Sequence, residues 1–302
     1  MEQRIVIAGG GFVGLRLARL LGKKLKGQAH IRLIDKNERF VFSPWLIDAV
    51  AGELETEQYS ESYEAAAKRN GFTFVRGEIG GVDQSKKTVE VTTHGNSQQI
   101  GYDLFVACQG ARPAYYGIQG AEASTQPLKN LEHIDQIHKK LSALIRQART
   151  ATPEERKKLL HFIVVGGGPS GIEALFAMKS YLESRACTDA PGLIKDLSFT
   201  LIEGKPNLLT GFRSNISEGA RRELERQDVI VRADTRATSM SDGAIYIGEE
   251  KLEGGLILWC GGVQANDLAF TPDVSRDDRR NLTTSSVLEL GKDIFGAGDA
   301  VL

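Results

Sequence analysis

A glycine-rich turn near the N-terminus has residue types and spacing suited to holding a phosphate. Gly9, Gly11 and Gly14 form a GxGxxG pattern that follows a short apolar run and opens an apolar pattern with helical spacing. The first glycine permits a tight turn, the second lets the backbone approach a pyrophosphate, and the third lets helix and strand pack closely. The backbone N–H groups at the start of the helix, at Phe12 and Val13, would face the phosphates. The motif predicts a dinucleotide-binding site.

A second turn has the same spacing and the same context. Gly166, Gly168 and Gly171 follow another apolar strand and precede another helix, and Pro169 and Ser170 lie within the motif. A single GxGxxG pattern could be a glycine-rich turn that binds nothing. Two copies, each between a predicted strand and a predicted helix, favour two bound dinucleotides.

Each turn has an acidic residue at the end of the next strand. Asp35, followed by Lys36, serves the first turn, and Glu203 serves the second. A carboxylate at this position accepts hydrogen bonds from a ribose and repels a 2′-phosphate. Because no Arg immediately follows Glu203, the sequence favours NADH over NADPH, although Lys205 lies nearby.

The composition excludes several other classes of protein. The 302 residues carry a formal net charge of -1, which argues against a nucleic-acid partner. Five scattered His and three isolated Cys provide no metal-ligand set, and the Cys usage fits a reducing compartment. A strand begins almost at residue 1, and no apolar run approaches the roughly 20 residues of a membrane span. We therefore expect a cytoplasmic protein, or one that is peripheral on the cytoplasmic face of a membrane.

The elements around the turns predict an α/β fold with two Rossmann-like dinucleotide-binding domains. In each half a turn opens a helix, a strand ends in an acid, and a meander closes on an apolar strand. Cys108-Gln109-Gly110 at the end of the first half corresponds to Cys260-Gly261-Gly262 in the second, as expected of an internal duplication. Helices are predicted near residues 60–69 and from Ile172, and a meander is predicted after Glu203.

The end of the chain resembles the FAD-dependent pyridine nucleotide-disulfide oxidoreductase superfamily. The segment Ile294-Phe-Gly-Ala-Gly-Asp-Ala300 matches the motif with which that superfamily returns to its FAD domain. The resemblance implies that Asp299, beside Ala300, binds the flavin ribitol. It also implies one resident flavin and one exchanging nicotinamide, so the cofactors are FAD and NADH.

Longer segments are similar to type II NADH:quinone dehydrogenases. They are 35–37, 42–46, 51–52, 166–173 and 258–263. This resemblance implies that Pro44 and the Gln109-Gly110 turn lie near the flavin. It further implies that Ile79 contacts the adenine and that Gly261-Gly262 faces the nicotinamide. Ala107-Cys108-Gln109-Gly110 departs from the Ala-Thr-Gly of that family, so Cys108 is expected to be structural.

Glu173 is the candidate catalytic residue. We expect it in the first turn of the second nucleotide-binding helix, where the helix dipole favours a carboxylate for structural reasons alone. In the resembling family a Glu at this position is implicated in proton or quinone handling. Hydride transfer itself requires alignment and flavin electronics rather than an acid or base.

The predicted function is hydride transfer from NADH to FAD and then to an acceptor, with a quinone as the expected partner. The FAD domain is expected at 1–117 and 264–302, and the NAD(H) domain at 118–263. The alternatives are a soluble NADH-dependent reductase, a sulfide:quinone-type reductase and a non-catalytic FAD/NAD-binding redox sensor.

The chain stops two residues after Ala300. The resembling family continues with a flavin-facing helix and a C-terminal region that completes the quinone site and contacts the membrane. We therefore expect a C-terminal truncation and a weakly held flavin, with membrane contact depending on that absent region. A homodimer is a further expectation.

Overall fold

The computed structural model describes residues 2–53, 60–278 and 280–301, and within them the chain forms two compact units. The first unit comprises Met1–Phe42, Glu57–Arg112 and Val263–Leu302. The second unit comprises Ser43–Thr56 and Pro113–Gly262. Each unit is built around one predominantly parallel sheet, which confirms the predicted α/β class with Rossmann-like topology.

The strands, numbered in chain order, are β1 Gln3–Ala8, β2 Ala29–Asp35, β3 Arg39–Val41, β4 Ser60–Ser62, β5 Thr73–Arg76, β6 Glu78–Asp83, β7 Thr88–Thr93, β8 Asn96–Gly101, β9 Leu104–Ala107, β10 Ala111–Pro113, β11 Gln126–Pro127, β12 His161–Val165, β13 Ser198–Ile202, β14 Val229–Arg232, β15 Ser239–Ser241, β16 Ala244–Ile247, β17 Glu250–Glu253, β18 Leu256–Trp259, β19 Val263–Ala265, β20 Ala269–Thr271, β21 Glu289–Gly291 and β22 Ile294–Gly296.

The α-helices are α1 Phe12–Lys24, α2 Leu46–Ala51, α3 Tyr63–Asn70, α4 Ala121–Ser124, α5 Leu131–Ala148, α6 Pro153–Leu159, α7 Pro169–Asp189 and α8 Ser214–Arg226, and short 3-10 turns cover Ser43–Trp45 and Pro191–Asp196.

The main sheet of the first unit has the strand order β21-β22-β9-β1-β2-β5. All its neighbouring strands are parallel except β21, which pairs antiparallel with β22. The central strand β1 is buried on both faces because its side chains alternate. Ile5 and Ile7 pack with residues of α1 and α3, and Val6 and Ala8 pack with residues of the β6–β8 meander. Because β1, β2 and β9 are adjacent and parallel, their carboxyl ends lie together at the same edge of the sheet, beside the first glycine turn.

The main sheet of the second unit has the order β11-β18-β12-β13-β14, and every pair is parallel. An antiparallel three-stranded meander, β15-β16-β17, follows β14. The second unit thus repeats the plan of the first, with a central strand, a glycine turn, a helix and an acid-ended neighbouring strand. That repetition is the structural form of the duplication read from the sequence.

Three element predictions need correction. The predicted helix over 60–69 begins only at Tyr63, because Ser60–Ser62 pairs with β3 and Ser62 caps the helix through the N–H of Ala65. The helix predicted from Ile172 begins at Pro169, which fits the first helical position because proline has no N–H to donate there.

The third correction is an omission. The predicted meander is present as β15-β16-β17, but α8 and β14, which the sequence reading did not predict, lie between it and Glu203. Within α8 only Ser217 and Leu224 are buried, so few apolar residues mark its inner face in the sequence. Packing of α8 against β14 in the tertiary structure stabilises a helix that the sequence pattern alone does not indicate.

The segment Ser43–Thr56 belongs to the second unit, whereas the sequence-based boundaries assign it to the first. Its helix α2 packs against α5 and α7. The ring of His138 contacts the carbonyl oxygen of Val50 at 3.0 Å, and Gly52 lies against the ring of Tyr181. Contacts with residues distant in sequence therefore place this segment in the second unit.

Among the described residues, none of the helices combines the length and the apolar character that a membrane span requires. The same part of the chain contains no group of three or more His, Cys, Asp or Glu that could hold a metal ion.

Candidate functional site

The first glycine turn is fixed by close backbone packing between β1, β2 and β9. Gly9 has φ +100° and donates its N–H to the carbonyl of Ile34 at 2.8 Å. A Cβ on Gly9 would lie 2.3 Å from the carbonyl oxygen of Cys108, and one on Gly14 would lie 1.8 Å from the carbonyl oxygen of Gly9. Only glycine fits at these two positions, because the obstructing atoms are backbone.

Gly11 differs from these two glycines because it faces open space. A Cβ built there meets no heavy atom within 4 Å. Gly11 is the N-cap of α1, no side chain caps the helix, and Phe12 and Val13 are exposed beside it. The first N–H groups of a helix have no intrahelical acceptor and form a positive end. The turn therefore offers an open, uncapped cradle of the kind that accepts a phosphate.

Asp35 connects the end of β2 to this turn. One carboxylate oxygen accepts a hydrogen bond from the N–H of Gly10 at 2.7 Å, and the other accepts one from the N–H of Asn37 at 2.8 Å. The carboxylate is held in place by backbone and retains lone pairs for further donors. Lys36 is exposed between these contacts.

The second glycine turn repeats this geometry closely. Gly166 has φ +115°, and a Cβ there would lie 2.2 Å from the carbonyl oxygen of Cys260. A Cβ on Gly171 would lie 1.9 Å from the carbonyl oxygen of Gly166, whereas one on Gly168 meets nothing within 4 Å. Pro169 and Ser170 are exposed at the start of α7.

Glu203 plays the part that Asp35 plays in the first unit. Its two carboxylate oxygens accept hydrogen bonds from the N–H of Gly167 at 2.6 Å and the N–H of Lys205 at 2.8 Å. Each acid thus accepts hydrogen bonds from the N–H of the glycine between the first two motif glycines (Gly10 or Gly167) and from the N–H of the residue two positions after the acid itself. The longer Glu side chain makes the same pair of contacts as the shorter Asp.

A cysteine lies beneath each turn. The N–H of Cys108 bonds to the carbonyl of Ala8 and that of Cys260 to the carbonyl of Val165, both at 2.7 Å. Burial raises the pKa of each thiol to about 12. Both side chains therefore stay protonated near neutral pH, which disfavours a nucleophilic role.

The Asp299 motif lies beside the N-terminus of α1. After β22 the chain bonds Ala297 N–H to the carbonyl of Ala107 at 3.0 Å. It then turns at Gly298, which has φ +78° and lies against Val13. Asp299 is exposed and Ala300 is completely buried. The motif places an exposed carboxylate on an anchored turn next to the first glycine motif.

Asn266 clamps the Gln109-Gly110 turn, a role that the sequence did not signal. Its side-chain amide donates to the carbonyl of Gln109 at 2.6 Å, and its N–H donates to the carbonyl of Gly110 at 2.9 Å. The Gln109 side-chain oxygen is buried and has no hydrogen-bond partner among the described residues. Gly110 has φ +66° and open space where a Cβ would lie.

Tyr63 is a second residue that sequence reasoning missed. It is buried, and its hydroxyl donates to the carbonyl of Gly10 at 2.8 Å. Burial, together with the charge of Asp35, raises the pKa of the phenol. Tyr63 therefore supports the turn as a neutral donor, and only its long-range position reveals this.

Gly261 and Gly262 form the corresponding turn of the second unit. Gly262 has φ +123°, and its absent Cβ would lie 2.5 Å from the hydroxyl of the exposed Tyr116. Gly261 packs on the ring of Trp259, whose indole N–H donates to the carbonyl of Ala114 at 3.1 Å.

The three other predicted site residues have different settings. Pro44 lies in the 3-10 turn before α2, in the second unit. Ile79 lies in β6 and is partly buried against the core beneath the meander. Glu173 is exposed on α7, but its predicted place in the first helical turn was wrong. Because α7 begins at Pro169, Glu173 lies in the second turn.

Comparison with known proteins gives consistent matches over the whole chain. The family model described as "Pyridine nucleotide-disulphide oxidoreductase" matches residues 3–301. The chain is 26% identical to the "External alternative NAD(P)H-ubiquinone oxidoreductase B2, mitochondrial" of Arabidopsis thaliana, over 99% of this chain and 54% of the relative. It is also 26% identical to the "External NADH-ubiquinone oxidoreductase 2, mitochondrial" of Saccharomyces cerevisiae, over 99% of this chain and 58% of the relative.

Among solved structures, NDH2 from Plasmodium falciparum in complex with NADH superposes with a TM-score of 0.91. The two chains are 23% identical, and the match covers 100% of this chain and 65% of the other. The likeness shows a shared fold. The chain spans little more than half the length of the curated relatives above.

Proposed function

The chain belongs to the pyridine nucleotide-disulphide oxidoreductase family, and on that premise we propose that it takes a hydride from NADH and passes electrons through FAD to a quinone. The observation that carries the proposal is the duplicated turn. Two open glycine cradles, each beside a backbone-held carboxylate, provide one phosphate site and one ribose acceptor per unit. The names of the curated relatives, which are NADH- or NAD(P)H-ubiquinone oxidoreductases, support the quinone as acceptor.

The residues of the first unit fit FAD. The open side of Gly11 and the uncapped start of α1 suit the pyrophosphate, and Asp35 suits the adenosine ribose. Asp299, exposed on its anchored turn, would accept hydrogen bonds from the ribitol hydroxyls. We further propose that Ile79 contacts the adenine and that the turn held by Asn266, at Gln109-Gly110, lies against the flavin.

The residues of the second unit fit a nicotinamide dinucleotide. Gly168 and the start of α7 would receive its pyrophosphate, and Glu203 its adenosine ribose. The Gly261-Gly262 turn is proposed to face the nicotinamide. When bound, the flavin supplies hydride acceptance and onward electron transfer. The protein residues bind and orient the two nucleotides.

Glu173 is proposed to handle the protons that quinone reduction consumes. It is exposed on α7, three residues past the open Ser170, and so a proton can reach it from solvent. Pro44 is proposed to border the flavin. Peripheral membrane contact on the cytoplasmic face and homodimer formation are further proposals, which vesicle flotation and light scattering would test.

An anaerobic titration tests the main proposal. The purified protein, reconstituted with FAD, should show flavin absorption bands that bleach on addition of NADH and return on addition of a soluble quinone. Stable bleaching without turnover would instead indicate a redox sensor, and turnover only with a protein acceptor would indicate another NADH-dependent reductase. Absence of both flavin bands and NADH binding would refute the proposal.

Sulfide as the electron donor is disfavoured at the two cysteines whose side chains the structure describes. A sulfide reductase of this family needs reactive thiols, whereas burial raises the pKa of Cys108 and Cys260 to about 12. Sulfide should therefore fail to bleach the flavin under conditions in which NADH does so.

A further inference from the structure

Two neighbouring residues of the first unit connect to both turns that are proposed to hold the flavin. They are Asn281 and Leu282, which lie between β20 and β21 and are 8% and 0% exposed. A buried Asn needs hydrogen-bond partners for its side-chain amide, because a polar group that is removed from water and left unpaired is costly. The partners of Asn281 therefore indicate what its side chain is placed to do.

The side-chain oxygen of Asn281 holds the segment that clamps the Gln109-Gly110 turn. Its Oδ1 accepts a hydrogen bond from the N–H of Ala265 at 3.2 Å, and Ala265 is buried at the end of β19. The next residue is Asn266, which donates from its side chain and from its N–H to the two carbonyls of the turn. Because Ala265 and Asn266 share a peptide bond, the position of Asn281 constrains the turn.

Leu282 connects the same segment to the turn that carries Asp299. Its N–H donates to the carbonyl oxygen of Ala300 at 3.1 Å, directly after Asp299. Its side chain packs in the same core cluster as Ala300. The exposed carboxylate of Asp299 is therefore fixed to the residue that directly follows Asn281.

Asp277 holds Asn281 from the other side. Its two carboxylate oxygens accept hydrogen bonds from the N–H and from the side-chain amide of Asn281, at 2.8 and 2.9 Å. Its own N–H donates to the carbonyl oxygen of Asn281 at 3.0 Å. Hydrogen bonds to a carboxylate are stronger than those between neutral groups. Asp277 thus determines which end of the amide faces Ala265.

We propose that Asn281 is a positioning residue for the flavin, because it fixes the Gln109-Gly110 turn relative to the turn of Asp299. The proposal rests on the proposed function of the first unit, in which one turn lies against the flavin ring and the other binds the ribitol. Ring and ribitol are covalently joined, so the spacing of the two turns decides whether both can contact the ligand at once. A spacing that is fixed before binding lowers the entropy lost on binding.

The polar network is better suited to this role than to stability alone. Apolar packing fills a buried position without the cost of removing an amide from water, as Leu282 does beside it. A buried amide with defined partners at both ends instead specifies a single arrangement of the surrounding backbone. Asn281 acts through the two turns, and its effect should be seen in how the flavin is held.

The test titrates FAD into the apoprotein and follows flavin fluorescence and the visible circular dichroism of the bound flavin. Asn281→Asp keeps the acceptor for Ala265 but sets a second carboxylate against Asp277 and removes the amide donor. We expect FAD binding to weaken about tenfold or more, because binding must restore the arrangement without a charge-assisted hydrogen bond and against like-charge repulsion. The dichroism of the bound flavin should change with it.

A double variant tests the hydrogen-bond pair itself. Asp277→Asn combined with Asn281→Asp exchanges the donor and the acceptor of the pair and retains an acceptor for Ala265. This exchange should return the FAD affinity to within about threefold of wild type. Asp277→Ser removes the anchor without adding a charge, and it should also weaken FAD binding if Asn281→Asp does not fold.

Asn70→Asp is the matched control for loss of stability. Asn70 is also buried in the first unit, at the end of α3, and its side-chain amide donates to the carbonyl oxygen of Ala66 at 2.6 Å. The variant should lower the midpoint of thermal unfolding. It should leave the FAD affinity and the dichroism of the bound flavin unchanged.

The outcomes separate the positioning role from the proposed function. If the wild-type protein does not bind FAD, the proposed function of the first unit fails. If it binds FAD and neither Asn281→Asp nor Asp277→Ser changes the affinity or the dichroism, Asn281 supports only the fold and the positioning role is refuted. The role is also refuted if Asn70→Asp weakens FAD binding equally, or if the double variant regains stability without regaining affinity.

Discussion

At the scale of single residues, the glycines of each motif do different work. Gly9 and Gly14 are required by the fold, because a Cβ on either would collide with backbone oxygen. Gly11 faces open space, so no steric demand of the protein explains it. Its absent side chain leaves room for a ligand. In the second motif, Gly166 and Gly171 are likewise required by the fold, whereas Gly168 faces open space.

Alanine substitutions should separate these roles. Gly14→Ala places a methyl group against the Gly9 carbonyl, so the free energy of unfolding should fall by about 3 kcal/mol or more. Gly11→Ala, its matched control, should change it by less than about 1 kcal/mol, since the position is a helix N-cap with open surroundings. Urea unfolding measures both, and equal losses would contradict the assignment.

The proposed catalytic role of Glu173 can be tested with little disturbance to the fold. It is exposed on the second turn of α7, so Glu173→Gln should leave stability nearly unchanged. If it handles protons, the variant should reduce quinone turnover about tenfold or more while NADH still bleaches the flavin at the wild-type rate. Stopped-flow absorbance measures the two steps separately. Unchanged turnover across the pH range would show that Glu173 has no catalytic part.

At the scale of elements, the order of strands in the parallel sheet places the acids beside the glycine turns. β1 lies between β2 and β9, so the carboxyl ends of three strands meet at one edge, with Asp35 and Gln109 on either side of the glycines. The register of β1 against its neighbours sets this meeting point. Arg4 supports that register by pairing with Asp103, just before β9, through Nε at 3.2 Å and a terminal nitrogen at 2.9 Å.

This pair predicts a pH dependence of stability. Hydrogen bonds from the Arg4 side chain, then from its N–H, lower the pKa of Asp103 to about 2. The unfolded value is about 4, so the stabilisation is fully present above that pH and is lost as pH falls toward 2. Asp103→Asn should therefore destabilise the protein at neutral pH, and its difference from wild type should shrink over this acid range.

Urea midpoints at several pH values measure that difference. Glu249→Gln, which neutralises an exposed carboxylate in the turn between β16 and β17, serves as the control. Both partners of the Arg4 pair are substantially exposed, so the effect should weaken in high salt. A constant difference between Asp103→Asn and wild type from neutral to acid pH would contradict the assignment.

At the scale of the whole molecule, one plan is used twice. Each unit has a central strand, a glycine turn, a helix, an acid bound to the middle glycine and a cysteine beneath the turn. Because the two glycine turns have the same shape, different residues beside them must select different nucleotides. Asp299, exposed beside the first glycine turn, is one such difference.

A substitution in one glycine turn should therefore weaken binding of one nucleotide without affecting the other. Gly11→Ala should weaken FAD binding and leave NAD⁺ binding unchanged, and Gly168→Ala should do the reverse. Each added methyl group occupies only the open side of its own turn. Flavin content after dialysis and NAD⁺ titration calorimetry measure the two affinities. If either variant weakened both ligands equally, the assignment of one nucleotide to each unit would be wrong.

The two glycine turns and their acids could be predicted from the amino-acid sequence, because the requirements of a tight turn, a close approach and a strand-ending acid are local. The GxGxxG spacings, Asp35, Glu203 and the α/β class all follow from residues near one another in the chain. The contacts of Tyr63 and Asn266 could be seen only once the chain was folded. Each joins residues far apart in sequence, and a side chain that acts on a distant carbonyl leaves no periodic pattern.

The same reason explains the misread elements. Strands such as β9 and β18 are easy to recognise in the sequence, because buried parallel strands are continuous apolar runs between turns. The sequence-based prediction missed α8, whose surface is mostly charged, and it assigned α2 to the other unit. Helix packing partners depend on the three-dimensional arrangement of faces, and local composition does not encode which distant face will be available.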